Sequence, residues 1–203
     1  MKKSLLILPL VLLASALALT ACGGGSSSSS GGSNDETAIE EAIETSATSS
    51  DPSKCTEVQT EAFNETETGK TGEAALKTCE KEVEEGDEQA ESVTVTNIEV
   101  EGEGAAAIAE IEGGGLNGQA IGIALEKEEG VWKVDGFMGF AKYDPAGIAA
   151  TLEKKLGEEE GFTPQLATCV AEGVEEMTEA EAEAMVFEKA SEGLEEIASS
   201  CQE

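Results

Sequence analysis

Apolar residues recur with two different periods along this chain, and the change of period divides it into three parts. Up to Gly86, and again after Asp144, they recur every three or four residues, which predicts helices. Between Val93 and Phe137 they alternate with polar residues, which predicts strands. The pattern therefore predicts helices, then a group of strands, then helices again.

Three helices are predicted before the strands. A capping-box pattern over 33–36 begins the first, which continues to about Ala47. Asp51-Pro52 interrupts it, a short second helix is predicted around Phe63, and a third ends at Gly86. Each of these helices has an apolar face that must be buried against another part of the fold.

Four strands follow, over residues 93–100, 105–111, 121–125 and 131–137. In the first, Val93 and Val95 are out of phase with Ile98 and Val100, so we expect a bulge at Thr96-Asn97. Tight turns are expected at 117–118 and 127–130. Short connections between consecutive strands predict an antiparallel meander, and hence an α+β fold with helices packed on a curved four-stranded sheet.

Helical spacing returns after residue 143. Helix-start patterns occur at Asp144-Pro145, at Thr163-Pro164 and at the capping box over 178–181. The sequence thus predicts an α+β domain over 34–143 and a small all-helical C-terminal appendage over 144–203.

The N-terminus has the pattern of a secretory signal peptide over 1–21: two lysines, then an apolar run over 5–19. This run is shorter than the roughly 20 residues of a membrane span. Leu19-Thr20-Ala21-Cys22 resembles the bacterial lipobox, which implies that the Cys22 thiol carries a diacylglycerol and becomes the mature N-terminus. An ordinary signal peptide with a chance cysteine is the alternative. A Gly/Ser linker then separates the lipid from the domain over 22–33.

The chain is strongly acidic, with a formal net charge of −31 and no histidine or arginine. Loss of residues 1–21 would remove two lysines and no acids. Such a surface repels nucleic acid and anionic headgroups, so neither is an expected partner. The glutamate runs are typical of a solvated surface.

Four cysteines besides Cys22 fit an oxidising compartment. Four thiols allow three connectivities, and sequence alone does not decide among them. Locality favours Cys55–Cys79 and Cys169–Cys201, with one disulfide in each part of the chain. Non-local pairing is the serious alternative.

The element order, the bulged first strand and the closing run Gly-Val-Trp-Lys-Val-Asp-Gly-Phe over 130–137 resemble the nuclear-transport-factor-two-like (cystatin-like, SnoaL-like) fold. The chain also resembles small actinobacterial lipoproteins that carry this domain. The resemblance covers about 34–143. It implies a cone, in which a curved sheet wraps around a long helix and leaves a pocket at the open end.

The sequence offers little for catalysis. Without histidine, a nucleophilic triad or a proton shuttle lacks its usual base. Neither zinc nor calcium spacing is present, so no metal or cofactor is expected. Gly69-Lys70-Thr71 lacks the first glycine of a phosphate loop, because Asn64 stands at that position.

The sequence therefore predicts a lipid-anchored, non-catalytic protein on the extracytoplasmic face of the cell membrane, which binds a small ligand or an envelope protein. The alternative is a pocket enzyme that acts on a small molecule. That alternative follows from the resemblance, since some relatives use an acid or a tyrosine inside the cone. Asp135 and Tyr143 are the residues here that could serve.

Overall fold

The computed structural model describes residues 32–86, 89–159 and 161–202. The predicted signal peptide, Cys22 and most of the predicted linker lie outside these residues. Four helices come first: α1 (Gly32–Thr48), α2 (Lys54–Glu57), α3 (Glu61–Thr68) and α4 (Glu73–Glu85). Four strands follow: β1 (Ser92–Glu101), β2 (Gly104–Glu112), β3 (Ala120–Glu128) and β4 (Val131–Lys142). The chain then forms α5 (Pro145–Glu158), α6 (Pro164–Glu175), α7 (Glu179–Val186) and α8 (Glu192–Ser200).

The strands form one antiparallel sheet in the order β1-β2-β3-β4. The register between β1 and β2 shifts between Thr96 and Glu99, and Asn97 has a φ of +52°. The predicted bulge is therefore confirmed. The α+β fold is confirmed as well, with N-terminal helices packed on a four-stranded antiparallel sheet and further helices after it.

Helix α1 packs on one face of the sheet, which we call the inner face. It contributes Ile39, Ala42 and Ile43, which are almost fully buried. The sheet contributes alternate residues, as a strand with one buried face requires: Ala107, Ala109, Ile111, Ile121, Ile123, Leu125, Trp132 and Val134. Each large apolar side chain buried in this way stabilises the fold by about 1.5–3 kcal/mol.

The short helix predicted around Phe63 is divided into α2 and α3. Between them the chain is extended and pairs with β4: Val134 N donates to Val58 O at 2.9 Å, and Thr60 N donates to Val134 O at 3.0 Å. Backbone groups committed to a strand are not available to a helix. Residues 58–60 thereby partner part of the free edge of β4, which would otherwise leave unpaired backbone groups.

Two disulfides are present, Cys55–Cys79 and Cys169–Cys201. The first joins α2 to α4, and the second joins α6 to the residue after α8. Both link cysteines that are consecutive among the four, which is the pairing that locality favours.

Three of the C-terminal helices, α5, α6 and α7, begin where the sequence predicts. The side chains of Asp144, Thr163 and Thr178 each accept a hydrogen bond from a backbone N–H of the helix that follows. These helices also contact the sheet, because the Phe187 ring lies against Phe137 and Phe140 with centroids 5.4 and 4.9 Å away. None of the helices in the described ranges has both the length and the hydrophobicity of a membrane span.

Candidate functional site

A cavity of about 380 Å³ lies between the sheet and the C-terminal helices, and we call it the apolar cavity. Its sheet side is formed by inward-facing residues of β2, β3 and β4: Ala109, Ile111, Ile121, Ile123, Val134 and Phe137. Ligand pockets in proteins commonly have volumes of about 300–1,000 Å³ and predominantly apolar walls. In both respects the apolar cavity resembles a site for a small molecule.

Helices complete the wall of the apolar cavity. Helix α1 contributes Ile43 and Ala47, and the C-terminal helices contribute Ile148, Leu152, Met185, Val186 and Leu194. Both parts of the chain therefore enclose the same space. This juxtaposition could not be predicted from the sequence, because α5, α7 and α8 share no pattern that indicates which surface they cover.

Few polar side chains line the apolar cavity, and those of the described residues already have partners. Ser46 Oγ accepts from Gln59 Nε2 at 2.9 Å, and Thr151 Oγ1 donates to Gly147 O at 3.0 Å. Glu67 forms an ion pair with Lys189, with the nitrogen and oxygen 3.6 Å apart. Lys155 is also at the wall. Apolar contact is thus the main interaction that this wall offers.

Asp135 does not line the apolar cavity. Its neighbour Val134 does, and the register between β3 and β4 shifts at Asp135, between the pairs Leu125–Val134 and Ala124–Gly136. Asp135 Oδ1 accepts a hydrogen bond from Thr60 Oγ1 at 2.7 Å. The same hydroxyl accepts from Phe63 N at 3.0 Å and so caps α3. Asp135 therefore links β4 to the start of α3.

Tyr143 does not line the apolar cavity either. Its hydroxyl donates to Met177 O at 3.3 Å, and its ring lies 5.2 Å from that of Phe140. Burial raises the pKa of Tyr143, with smaller contributions from Glu181 and Glu179. A raised pKa keeps the phenol protonated at neutral pH, so Tyr143 is not prepared to act as a base.

A second cavity of about 240 Å³, which we call the polar recess, adjoins the apolar cavity. Ser46, Ala47, Glu67 and Phe137 line both. The polar recess is lined in addition by Lys54, Gln59, Phe63, Asn64, Thr68, Cys79, Glu82, Val83 and Gln89. It lies among α1, α2, α3 and α4.

Lys54 is the unusual residue of the polar recess, because it is only 5% exposed. Its Nζ donates to Ser46 O, in the last turn of α1, at 2.9 Å. Burial lowers the pKa of Lys54. The sequence pattern did not identify this lysine as a candidate. The only sequence feature that could have indicated it is its position next to the disulfide cysteine Cys55.

A further polar cluster joins the start of α1 to the sheet. Asp35 Oδ1 accepts from Lys127 Nζ at 2.6 Å and from Trp132 Nε1 at 2.9 Å. Lys127 Nζ also lies 5.1 Å from the centre of the Trp132 ring. The hydrogen bond from Lys127, and then that from Trp132, lowers the pKa of Asp35. None of these three residues lines either cavity, so the cluster has a structural role.

Within the part of the chain that the structure describes, no group of three or more histidine, cysteine, aspartate or glutamate residues is placed to hold a metal ion. Comparisons with known proteins do not add a family: no family model matches the chain, and no curated protein or solved structure is significantly similar to it.

Proposed function

We propose that this protein is a lipid-anchored, extracytoplasmic binding protein that holds a small apolar molecule without transforming it. The apolar cavity is the observation that carries the proposal. Its wall combines a sheet face, α1 and the C-terminal helices around a volume typical of ligand sites.

The location belongs to the same proposal. It is supported by the signal peptide pattern over 1–21, by the lipobox-like residues before Cys22, and by two disulfides, which persist mainly in oxidising compartments. A single acyl chain holds a protein only marginally at a membrane, whereas two chains anchor it stably. A diacylglycerol on Cys22 would supply both.

We also propose that the domain over 34–143 is a cone of the nuclear-transport-factor-two-like kind. In support of this proposal, helix α1 packs on one face of a bulged antiparallel sheet, and the apolar cavity lies beside it. In this reading the C-terminal helices close the open end of the cone.

Binding rather than catalysis is proposed because of where the candidate catalytic groups lie. The Asp135 carboxylate is hydrogen-bonded to Thr60, and the Tyr143 hydroxyl is hydrogen-bonded to Met177 O. Both are outside the wall of the apolar cavity. A reactive group must reach the atom on which it acts, within about 2.6–3.2 Å or through one water.

Binding can be tested with N-phenyl-1-naphthylamine, an uncharged fluorescent probe of apolar sites. The unlipidated Cys22→Ser chain, purified without detergent, should enhance its fluorescence saturably. Ala47→Phe places a ring in the apolar cavity and should weaken probe binding at least tenfold. Ala150→Phe is the matched control, because Ala150 is exposed on α5. Equal probe binding by both variants, or no saturable binding by the parent chain, would contradict the proposal.

Anchoring is tested separately. Metabolic labelling with an alkyne fatty acid should tag the wild-type protein in a bacterial host and should not tag Cys22→Ser, because the thioether needs the Cys22 sulfur. Equal labelling of the two proteins would refute the anchor and leave the cavity proposal standing.

A further inference from the structure

We infer that the molecule bound in the apolar cavity carries a carboxylate on an apolar chain, and that Lys54 in the polar recess binds the carboxylate. The inference rests on the proposed binding function and specifies its ligand class. It follows from the shared walls of the two cavities, the burial of Lys54 and the arrangement of the other charges.

The two cavities adjoin and share part of their walls. Ser46 and Ala47 of α1, Glu67 of α3 and Phe137 of β4 contribute to both walls. A single elongated molecule could therefore place its apolar chain against the sheet and its polar end among α1, α2 and α4. An amphiphile with one compact head group matches this division.

Lys54 supplies a buried cation at the polar end. In residues 32–86, 89–159 and 161–202, no carboxylate lies within the 4 Å of an ion pair from its Nζ. The hydrogen bond to Ser46 O uses one of the three ammonium protons. The partial negative charge at the end of α1 stabilises the ammonium in the free protein, and the other two protons suit a carboxylate, which accepts charge-assisted hydrogen bonds.

Other charges at the two cavities are more exposed to solvent than Lys54. Glu82 is exposed, and the Glu67 side chain is 30% exposed and paired with Lys189. Lys155 is also partly exposed at the wall of the apolar cavity. Solvent screens exposed charges more than buried ones. Lys54 is therefore the charge with the greatest influence on a buried head group.

The first experiment compares three ligands of equal chain length as competitors of N-phenyl-1-naphthylamine: decanoate, decan-1-ol and decylamine. We expect decanoate to bind at least about tenfold more tightly than decan-1-ol, because a charge-assisted hydrogen bond is worth about 1.5–3 kcal/mol net. Decylamine should be the weakest, because its ammonium would face Lys54. If decylamine were the strongest competitor, the carboxylates of Glu67 and Glu82, and not Lys54, would determine which head group is bound. That result would overturn the inference.

The second experiment assigns the preference to a residue. Lys54→Met should reduce the difference between decanoate and decan-1-ol to within about twofold, chiefly by weakening the binding of decanoate. Lys155→Met removes the lysine that lines the apolar cavity itself and should keep the full difference. Loss of the preference in Lys155→Met but not in Lys54→Met would overturn the inference.

Each variant is first checked for cooperative thermal unfolding and for the absence of free thiols. Should Lys54→Met not fold, Lys54→Gln keeps a donor for Ser46 O and removes the charge. Failure of the uncharged probe to bind would refute the proposed function, and this inference with it. Probe binding with no preference for decanoate would refute this inference alone.

Discussion

Gly139 sets the contact between β4 and α7. It has a φ of +99°, and a β-carbon there would collide with the Glu183 carboxylate. Glu183 Oε1 accepts a hydrogen bond from Phe140 N at 3.0 Å. The missing side chain thus allows Glu183 to approach the backbone and to hold α7 against the strand.

Gly139→Ala should lower the free energy of unfolding by about 1–3 kcal/mol, because alanine would combine an unfavourable φ with displacement of the Glu183 carboxylate from its hydrogen bond with Phe140 N. Gly157→Ala is the control, since no atom within 4 Å would contact its β-carbon and Gly157 lies in α5. That change should leave the free energy of unfolding unchanged or raise it by up to about 1 kcal/mol. Urea denaturation measures both, and equal losses would contradict the role of Gly139.

Asp35 makes the stability depend on pH. Its pKa is lowered in the folded protein by the hydrogen bonds from Lys127 and Trp132. Its contribution is therefore complete above the unfolded-state pKa of about 3.9, and it is lost as the pH falls through the lower folded value. Asp35→Asn should have a lower melting temperature than the wild type at pH 6, and the difference should shrink below about pH 4.

Calorimetry of both proteins between pH 7 and pH 2.5 tests this dependence. Lys127→Met is the control, because it removes the largest cause of the lowered pKa. Its own difference from the wild type should shrink over the same pH range. A difference that stays constant in both variants would show that the charge of the Asp35 carboxylate does not stabilise the fold.

For single residues, the sequence predicts an interaction only when the two partners are close in the chain. The capping box at Thr178 and Glu181 is confirmed, because the two residues lie three positions apart. Asp35 was predicted only as part of a local capping pattern, whereas its hydrogen-bond partners are on β3 and β4. Asp135 is a candidate only under the alternative of a pocket enzyme, and the hydrogen bond from Thr60 Oγ1 holds its carboxylate at a position that does not line the apolar cavity.

The same distinction applies to the helices and strands. The starts of α5, α6 and α7 were predicted from a cap and the residues after it, and all three are confirmed. The division between α2 and α3 was missed, because it depends on hydrogen bonds between residues 58–60 and β4. Strand β4 also continues past the predicted end at Phe137 to Lys142, where it contacts α7.

The two disulfides should differ in accessibility. Cys55 and Cys79 are 1% and 9% exposed, whereas Cys169 and Cys201 are both partly exposed. Under mild reductant, Cys169–Cys201 should therefore open first, because a thiolate must reach the sulfur that it attacks. Differential alkylation followed by mass spectrometry gives the order. Earlier labelling of Cys55 and Cys79 would contradict the packing of α2 against α4.

Loss of either disulfide should also lower the free energy of unfolding. Closing loops with cysteines 24 and 32 residues apart contributes about 3–4 kcal/mol each in the chain-entropy model. The double variant with Cys169→Ser and Cys201→Ser should weaken the packing of α6 against α8. Through Leu194, these helices affect the apolar cavity as well, so N-phenyl-1-naphthylamine binding should weaken together with stability.

At the scale of the whole molecule, the net charge of −31 opposes folding through self-repulsion. Raising NaCl from 20 mM to 500 mM should therefore raise the melting temperature by several degrees, because salt shortens the Debye length from more than about 20 Å to less than about 5 Å. KCl at equal ionic strength is the control and should act equally. A falling melting temperature would mean that the attractive ion pairs outweigh the repulsion.

Pairing of consecutive cysteines has a consequence for how the chain is oxidised. A chain that emerges N-terminus first presents Cys55 and Cys79 before Cys169 and Cys201, and each bond in the structure joins two cysteines that emerge in succession. The strands likewise pair in the order in which they emerge. We therefore expect an oxidant alone to yield the native bonds of the Cys22→Ser chain, with little need for a catalyst of disulfide shuffling.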